Sequence, residues 1–115
     1  MLSDLVLIPL ATLIKAIAFL HDQKIVHLDI KPHNLVAELT ASTFAKLYVI
    51  DYSISRWYAD GDPWIRGWCG TRGWTAPEVV DGQSWDPRAA DVWAMAETLK
   101  FLAEVRFLNQ WVMSR

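Results

Sequence analysis

The sequence predicts an α+β domain that is mainly helical, with short strands in its middle. Three observations carry this. Residues 5–20 form an apolar run of 16 residues interrupted by one lysine, Lys15. A second helical pattern runs from residue 88 to at least residue 108, behind the pair Asp86-Pro87. Between them, short apolar segments alternate with polar loops and glycines, which is the pattern of brief strands. Residues 1–115 fit one domain.

The first run is too short for a membrane span, which needs roughly 18–20 apolar residues, and Lys15 sits inside it. A signal peptide fits poorly too, because Asp4 stands where positive charge is expected. The reading adopted is a buried helix, with Leu13, Ile17, Leu20 and His21 at helical spacing. Ser3 or Asp4 is a candidate cap, and Pro9 argues that a regular helix starts only near Pro9.

Next, Lys24-Ile25-Val26 and Leu35-Val36-Ala37 bracket a polar loop, residues 27–34 (HLDIKPHN). Loops held by rigid flanks are where chemistry tends to sit. This one carries a carboxylate, Asp29, an ammonium, Lys31, and an amide, Asn34. A carboxylate can accept a hydroxyl proton, an ammonium can neutralise a phosphoryl group, and an amide oxygen suits Mg²⁺. Residues 34–39 and 46–50 read as two strands joined by the polar turn 40–43, and the second delivers Asp51 at its end.

Residues 51–78 are long and irregular. They hold four of the five glycines, two prolines, and Trp57, Trp64, Trp68 and Trp74. A loop of this length is usually functional or loosely packed. Asp86 then reads as the N-cap and Pro87 as the first residue of the last helix. Val92, Met95, Leu99, Leu102 and Val105 are its expected apolar side.

Composition narrows the function. A net charge of -2 leaves no basic surface for nucleic acid. The apolar fraction of 53% and the seven tryptophans are high for so short a soluble chain, and the expectation is that many of these residues pack against parts outside it. The single cysteine, Cys69, makes no intrachain disulfide and suggests a reducing, cytoplasmic or nuclear compartment. His21, His27 and His33 recur at six-residue spacing, but Cys69 has no motif partner, so a zinc site is the weaker reading.

Taken together, the motifs resemble eukaryotic-type protein kinases. Residues 27–34 resemble the catalytic loop H-R-D-x-K-x-x-N. Asp51-Tyr52-Ser53 stands where that family has D-F-G, residues 70–78 (GTRGWTAPE) where it has G-T-x-x-Y-x-A-P-E, and Asp91-Val92-Trp93-Ala94 where it has D-x-W-S. The resemblance spans about residues 2–102. It implies an incomplete large (C-terminal) lobe, with the small lobe and the last helices absent. It also implies ATP and Mg²⁺ as cofactors and a protein substrate, with Lys31 favouring serine or threonine over tyrosine.

Roles follow from the resemblance residue by residue. Asp29 would accept or orient the proton of the attacking hydroxyl, and Lys31 would touch the γ-phosphate. Asn34 and Asp51 would hold Mg²⁺. Thr71 would bridge Asp29 and Lys31 and help seat substrate. His27 would pack under Tyr52. Asp91 would be buried and take its donors from the loop backbone. Glu78, whose family partner is an arginine further along the lobe, would be left solvated.

The chain also departs from the family. Leu28 replaces the arginine of H-R-D, which in relatives receives a phosphate on the activation segment. Phosphorylation at Ser53, Ser55, Tyr58 or Thr75 is therefore not expected to switch activity on. Ser53 replaces glycine, with an expected loss of backbone freedom, and Ala96 stands where many relatives have glycine, which allows less close helix packing. No glycine-rich loop and no V-A-I-K lysine are present.

Three functions compete: serine/threonine protein phosphorylation, a non-catalytic remnant that binds protein through exposed apolar surface, and a small-molecule phosphotransferase. Thr75-Ala76-Pro77-Glu78 and Asp91-Val92-Trp93 argue against the last. The chain alone is expected to be weakly active or inactive, its apolar faces covered by the missing lobe or another protein.

Overall fold

The computed structural model describes residues 2–39, 44–80 and 82–113. Two long helices, α1 (Leu2–Asp22) and α2 (Pro87–Met113), frame the described residues. Between them lie β1 (Ile25–Val26), a 3-10 turn (Pro32–Asn34), β2 (Leu35–Leu39), β3 (Phe44–Val49), β4 (Arg56–Trp57), β5 (Ile65–Arg66) and β6 (Ser84–Trp85). The strands form three antiparallel two-stranded ribbons: β1 with β4, β2 with β3, and β5 with β6. This is the expected mainly helical α+β chain. Neither helix is long and apolar enough to cross a membrane among the described residues.

Helix α1 starts well ahead of Pro9, and Ser3 and Asp4 lie inside it rather than before it. The expectation of a start near Pro9 is thus corrected. A proline removes one backbone hydrogen bond, and leucines and an alanine on either side (Leu5, Leu7, Leu10, Ala11) favour the helical turns that continue past it. The expected stripe is buried: Leu13, Ile17 and Leu20 all face the interior. The helix closes on Lys24, which adopts φ 63° and donates its N–H to His21 O at 3.0 Å. A left-handed residue at this point is usually glycine.

Ribbon β2–β3 pairs Leu35 with Val49 and Glu38 with Lys46, with an irregularity between Glu38 and Leu39. The expected turn at 40–43 lies outside the described residues. At the other end, Asp86 Oδ1 accepts the Arg88 N–H at 2.9 Å, and α2 begins at Pro87 as expected.

The apolar face of α2 is the expected one only in part: Met95 and Leu99 pack against the second core and Leu102 is half-buried. Val92 and Val105 are exposed, at 47% and 40%. The buried face is Pro87, Ala90, Asp91, Ala94 and Thr98, while Met95 and Leu99 pack only at its edge. Small side chains at 90 and 94 bring the helix axis close to the central loop, and large ones would hold it away. Ala96 is exposed, so its methyl costs no packing here.

Two cores result. One joins Val26, Leu28, Ile65, Ala76, Val79, Trp85 and Ala90; the other joins Leu13, Ile17, Leu20, Ile30 and Ala94. Residues 27–34 run between them. Leu28 is anchored in the first core and Ile30 in the second, so both neighbours of Asp29 are fixed.

Candidate active site

The loop is suspended from Asp91. Its Oδ2 accepts the His27 N–H and its Oδ1 the Leu28 N–H, both at 2.9 Å, and His21 Nε2 lies 2.9 Å from Oδ2. Asp91 is 1% exposed, so its charge is held entirely by these donors. Leu28 adopts φ 72°, a conformation rare for a leucine, and it turns the chain so that Asp29 leaves the core. His27 has two further contacts. Its Nδ1 accepts the Asp29 N–H at 3.1 Å and its Nε2 meets Ile50 O at 2.9 Å, which together assign the neutral Nε2–H tautomer. The Tyr52 ring stands edge-on to it, 5.0 Å between centroids.

Four side chains converge in front of the loop. Thr71 Oγ1 donates to Asp29 Oδ1 at 2.5 Å and accepts from Lys31 Nζ at 2.9 Å. Asn34 Nδ2 donates to the Asp29 carbonyl at 2.7 Å and to Asp29 Oδ2 at 3.2 Å. Each carboxylate oxygen of Asp29 thus has one donor and one remaining lone pair, the arrangement of an oriented proton acceptor. The Asn34 amide oxygen is left as its hard ligand atom. Gly70 makes the approach of Thr71 feasible. At φ 112°, a Cβ there would lie 2.7 Å from Thr75 Cγ2 and 3.1 Å from Leu28 O.

Asp51 joins the site through the backbone. The Ile50 N–H donates to Asn34 O at 2.9 Å, which ties the end of β3 to the loop. Asp51 is exposed and adopts φ 61°. Its Oδ1 accepts the Ser53 hydroxyl at 2.6 Å and the Ser53 N–H at 3.2 Å. The Ser53 hydrogen bonds, first the hydroxyl's and then the N–H's, hold the carboxyl below its ordinary range against the opposing effect of desolvation, and the Lys31 charge lowers it further. Ser53 itself has no positive φ, so the expected backbone penalty for serine at a glycine position does not arise.

Asp51 Oδ2 and the Asn34 amide oxygen are hard donors on adjoining segments, and such a sparse oxygen set fits Mg²⁺, which binds few protein ligands and keeps waters or phosphates. Among the described residues no group of three or more His, Cys, Asp or Glu is placed to hold a metal. Of the three histidines, His21 reaches Asp91, His27 lies under Tyr52, and His33 is exposed. Glu78 is exposed.

Some contacts have no precursor in the sequence reading. Ser55 Oγ donates to His27 O at 3.1 Å. Tyr58 OH donates to His21 O at 2.7 Å, with Arg88 5.4 Å and Lys24 5.9 Å from its ring centre. These pin the segment after Asp51 to the end of α1. A tyrosine in a glycine-rich loop carries no signal of such a partner.

Comparison with known proteins agrees with this geometry. Residues 8–110 match the family described as "Protein kinase domain". The chain is 36% identical over 87 residues to the serine/threonine-protein kinase kin-29 of Caenorhabditis elegans, covering 76% of this chain and 10% of that protein. It is 38% identical over 82 residues to CBL-interacting serine/threonine-protein kinase 24 of Arabidopsis thaliana, covering 71% and 18%. Serine/threonine-protein kinase GRIK2 of the same plant is 38% identical over 92 residues, covering 78% and 22%. The chain therefore spans only a small part, 10% to 22%, of these relatives.

Proposed function

Given that the chain belongs to the eukaryotic-type protein kinase family, we propose that it forms the central part of a kinase large lobe and carries the phosphoryl-transfer loop for serine or threonine hydroxyls of protein substrates. The observation that carries this is the chain of contacts Lys31–Thr71–Asp29–Asn34. Asp29 orients the substrate hydroxyl and receives its proton on a remaining lone pair. Lys31 places a positive charge beside that hydroxyl, where the transferring phosphoryl group gathers negative charge. Thr71 fixes the distance between the two. Asn34 and Asp51 would hold Mg²⁺, which when bound neutralises the phosphates of ATP. The half-buried thiol of Cys69 suits a reducing compartment.

Phosphoryl transfer rests almost wholly on positioning and charge stabilisation. The 115 residues include neither a glycine-rich loop nor a strand lysine to grip the nucleotide, so we propose that these residues tested by themselves are weakly active or inactive. A second reading, a non-catalytic module that binds protein, draws support from the exposure of Trp57 and Trp64, at 72% and 58%.

Thermal unfolding of the purified chain, followed by tryptophan fluorescence with and without Mg-ATP, separates the readings. Ligand at about 100 times its dissociation constant adds about 2.7 kcal/mol to stability. A transition that rises with Mg-ATP, and does not in Asp51→Ala, supports a working nucleotide site. A transition indifferent to Mg-ATP means that the loop residues are inherited but idle in these 115 residues alone.

A further inference from the structure

Thr71 does more than bridge Asp29 and Lys31, because it also fixes where the next residue stands. The Trp74 N–H donates to Thr71 O at 2.9 Å, with Gly73 at φ 94°, so residues 71–74 form a tight turn. The turn is held at both ends. Thr71 is bonded to Asp29 and Lys31, and the Trp74 ring packs edge-on against Phe101 of α2, 5.7 Å between centroids. Arg72 stands on this turn directly after the residue that bonds Asp29, and it is exposed. Its guanidinium lies over the Trp68 ring, 5.9 Å from the ring centre, and Trp68 is itself exposed.

The charge of this arginine is not spent within the chain. Lys24 pairs with Asp60, Arg88 with Asp86, and Lys31 is bonded to Thr71. Arg72 has the Trp68 ring and, among the described residues, no carboxylate. Arg56 on β4 and Arg66 on β5 are exposed too, but neither follows a residue bonded to Asp29. Stacking on an aromatic face holds the planar guanidinium in place and leaves its edge N–H groups for a carboxylate, which they grip with two parallel hydrogen bonds.

The loop offers no competing signal. Residues 27–34 hold no carboxylate besides Asp29, and their exposed side chain is His33. A basic neighbour of the acceptor hydroxyl meets like charge at Arg72 and finds no spare acid in the loop. We propose that Arg72, seated on Trp68, is a specificity-determining residue that selects protein substrates with an aspartate or glutamate directly beside the acceptor serine or threonine. This rests on the reading of residues 27–34 as the phosphoryl-transfer loop made above.

The test uses the 115-residue chain and short alanine-based peptides. Each peptide carries the photoreactive residue p-benzoylphenylalanine at the acceptor position, with aspartate, alanine or lysine beside it on either side. Cross-links are mapped by mass spectrometry, and those to residues 27–34 show that the acceptor position sits at the loop. The aspartate peptide should half-saturate this cross-link at about 5-fold lower concentration than the lysine peptide, the upper range for one exposed ion pair. The gap should narrow in high salt. Arg72→Ala abolishes the preference, Arg72→Glu reverses it, and Arg72→Lys, which keeps the charge without the planar fork, retains a weaker one. Equal cross-linking by the aspartate and lysine peptides, or a preference that survives Arg72→Ala, overturns the role of Arg72 and leaves the reading of the loop standing. No cross-link to residues 27–34 with any peptide overturns that reading and this inference with it. Arg72 is exposed, so its variants should unfold as the parent does by tryptophan fluorescence, which separates a changed preference from a folding defect.

Discussion

Asp91 Oδ1 accepts the Leu28 N–H at 2.9 Å across 63 residues of sequence. Its other oxygen accepts the His27 N–H, so one buried carboxylate on α2 carries the two peptide groups ahead of Asp29. The site is therefore positioned from below, by a residue that touches no reacting atom.

Asp91→Ala strips both buried N–H groups of their acceptor. Each unsatisfied donor costs about 1–3 kcal/mol. The expected result is a stability loss of about 2 kcal/mol or more by urea denaturation, larger than for Asp91→Asn, which keeps one acceptor oxygen. Equal stability of Asp91→Ala and the parent chain would remove Asp91 from this role.

Leu28 lies in an apolar core with Val26, Ile65, Ala76, Val79, Trp85 and Ala90. Restoring the family's arginine by Leu28→Arg buries a guanidinium among them. An uncompensated buried charge costs several kcal/mol, so a loss of about 3 kcal/mol is expected, against less than about 1.5 kcal/mol for the volume-conserving Leu28→Met. The same packing leaves no cation at position 28 to receive a phosphate. Phosphorylation at Ser53, Ser55, Tyr58 or Thr75 is thus expected not to raise activity, checked by phosphorylating the protein and comparing it with the corresponding Ala or Phe variants.

Thr98 is fully buried, and its hydroxyl has no hydrogen-bond partner among the described residues. Thr98→Val removes that polar atom while keeping the shape. Relief of an unsatisfied buried hydroxyl is worth about 1 kcal/mol or more, read as a higher midpoint in thermal or urea unfolding. Destabilisation instead would show that the hydroxyl is satisfied in solution.

Burial pushes the Cys69 thiol above its ordinary value of 9.0, the main cause being loss of solvent around it. A raised value in the folded state means the folded chain holds its proton longer than the unfolded one. Stability linked to Cys69 is thus intact below about pH 8.5 and declines as pH rises through the folded value. Alkylation of the native chain by iodoacetamide should be slower than that of the urea-unfolded chain at the same pH, because the folded chain holds less thiolate. Rapid labelling of native protein at pH 7.5 would contradict this.

Much of the site was legible because it is local. Asp29, Lys31 and Asn34 fall within six residues, and a polar loop between two apolar segments announces itself in any reading of the chain. The cap at Asp86-Pro87 is equally local, since an N-cap side chain reaches only the next turn. The most buried positions of α2 were not legible, for the opposite reason. Ala90, Ala94 and Thr98 carry weak apolar signals, and they are buried because the loop and α1 approach there, not because they are large.

By itself the sequence determined the two helices, the strands flanking the loop, the chemistry available in the loop, and the family, all of which depend on residue type and short spacing; β4, β5 and β6 lie where it read an irregular segment and a helix start. Tertiary structure decided which of those residues meet. Thr71 reaches Asp29 over 42 residues because Gly70 can pass within contact of Leu28 and Thr75. His27 meets Ile50, and Leu28 meets Asp91, through backbone groups that look alike in every sequence. Side-chain identity limits the contacts that can form, and long-range packing selects among them.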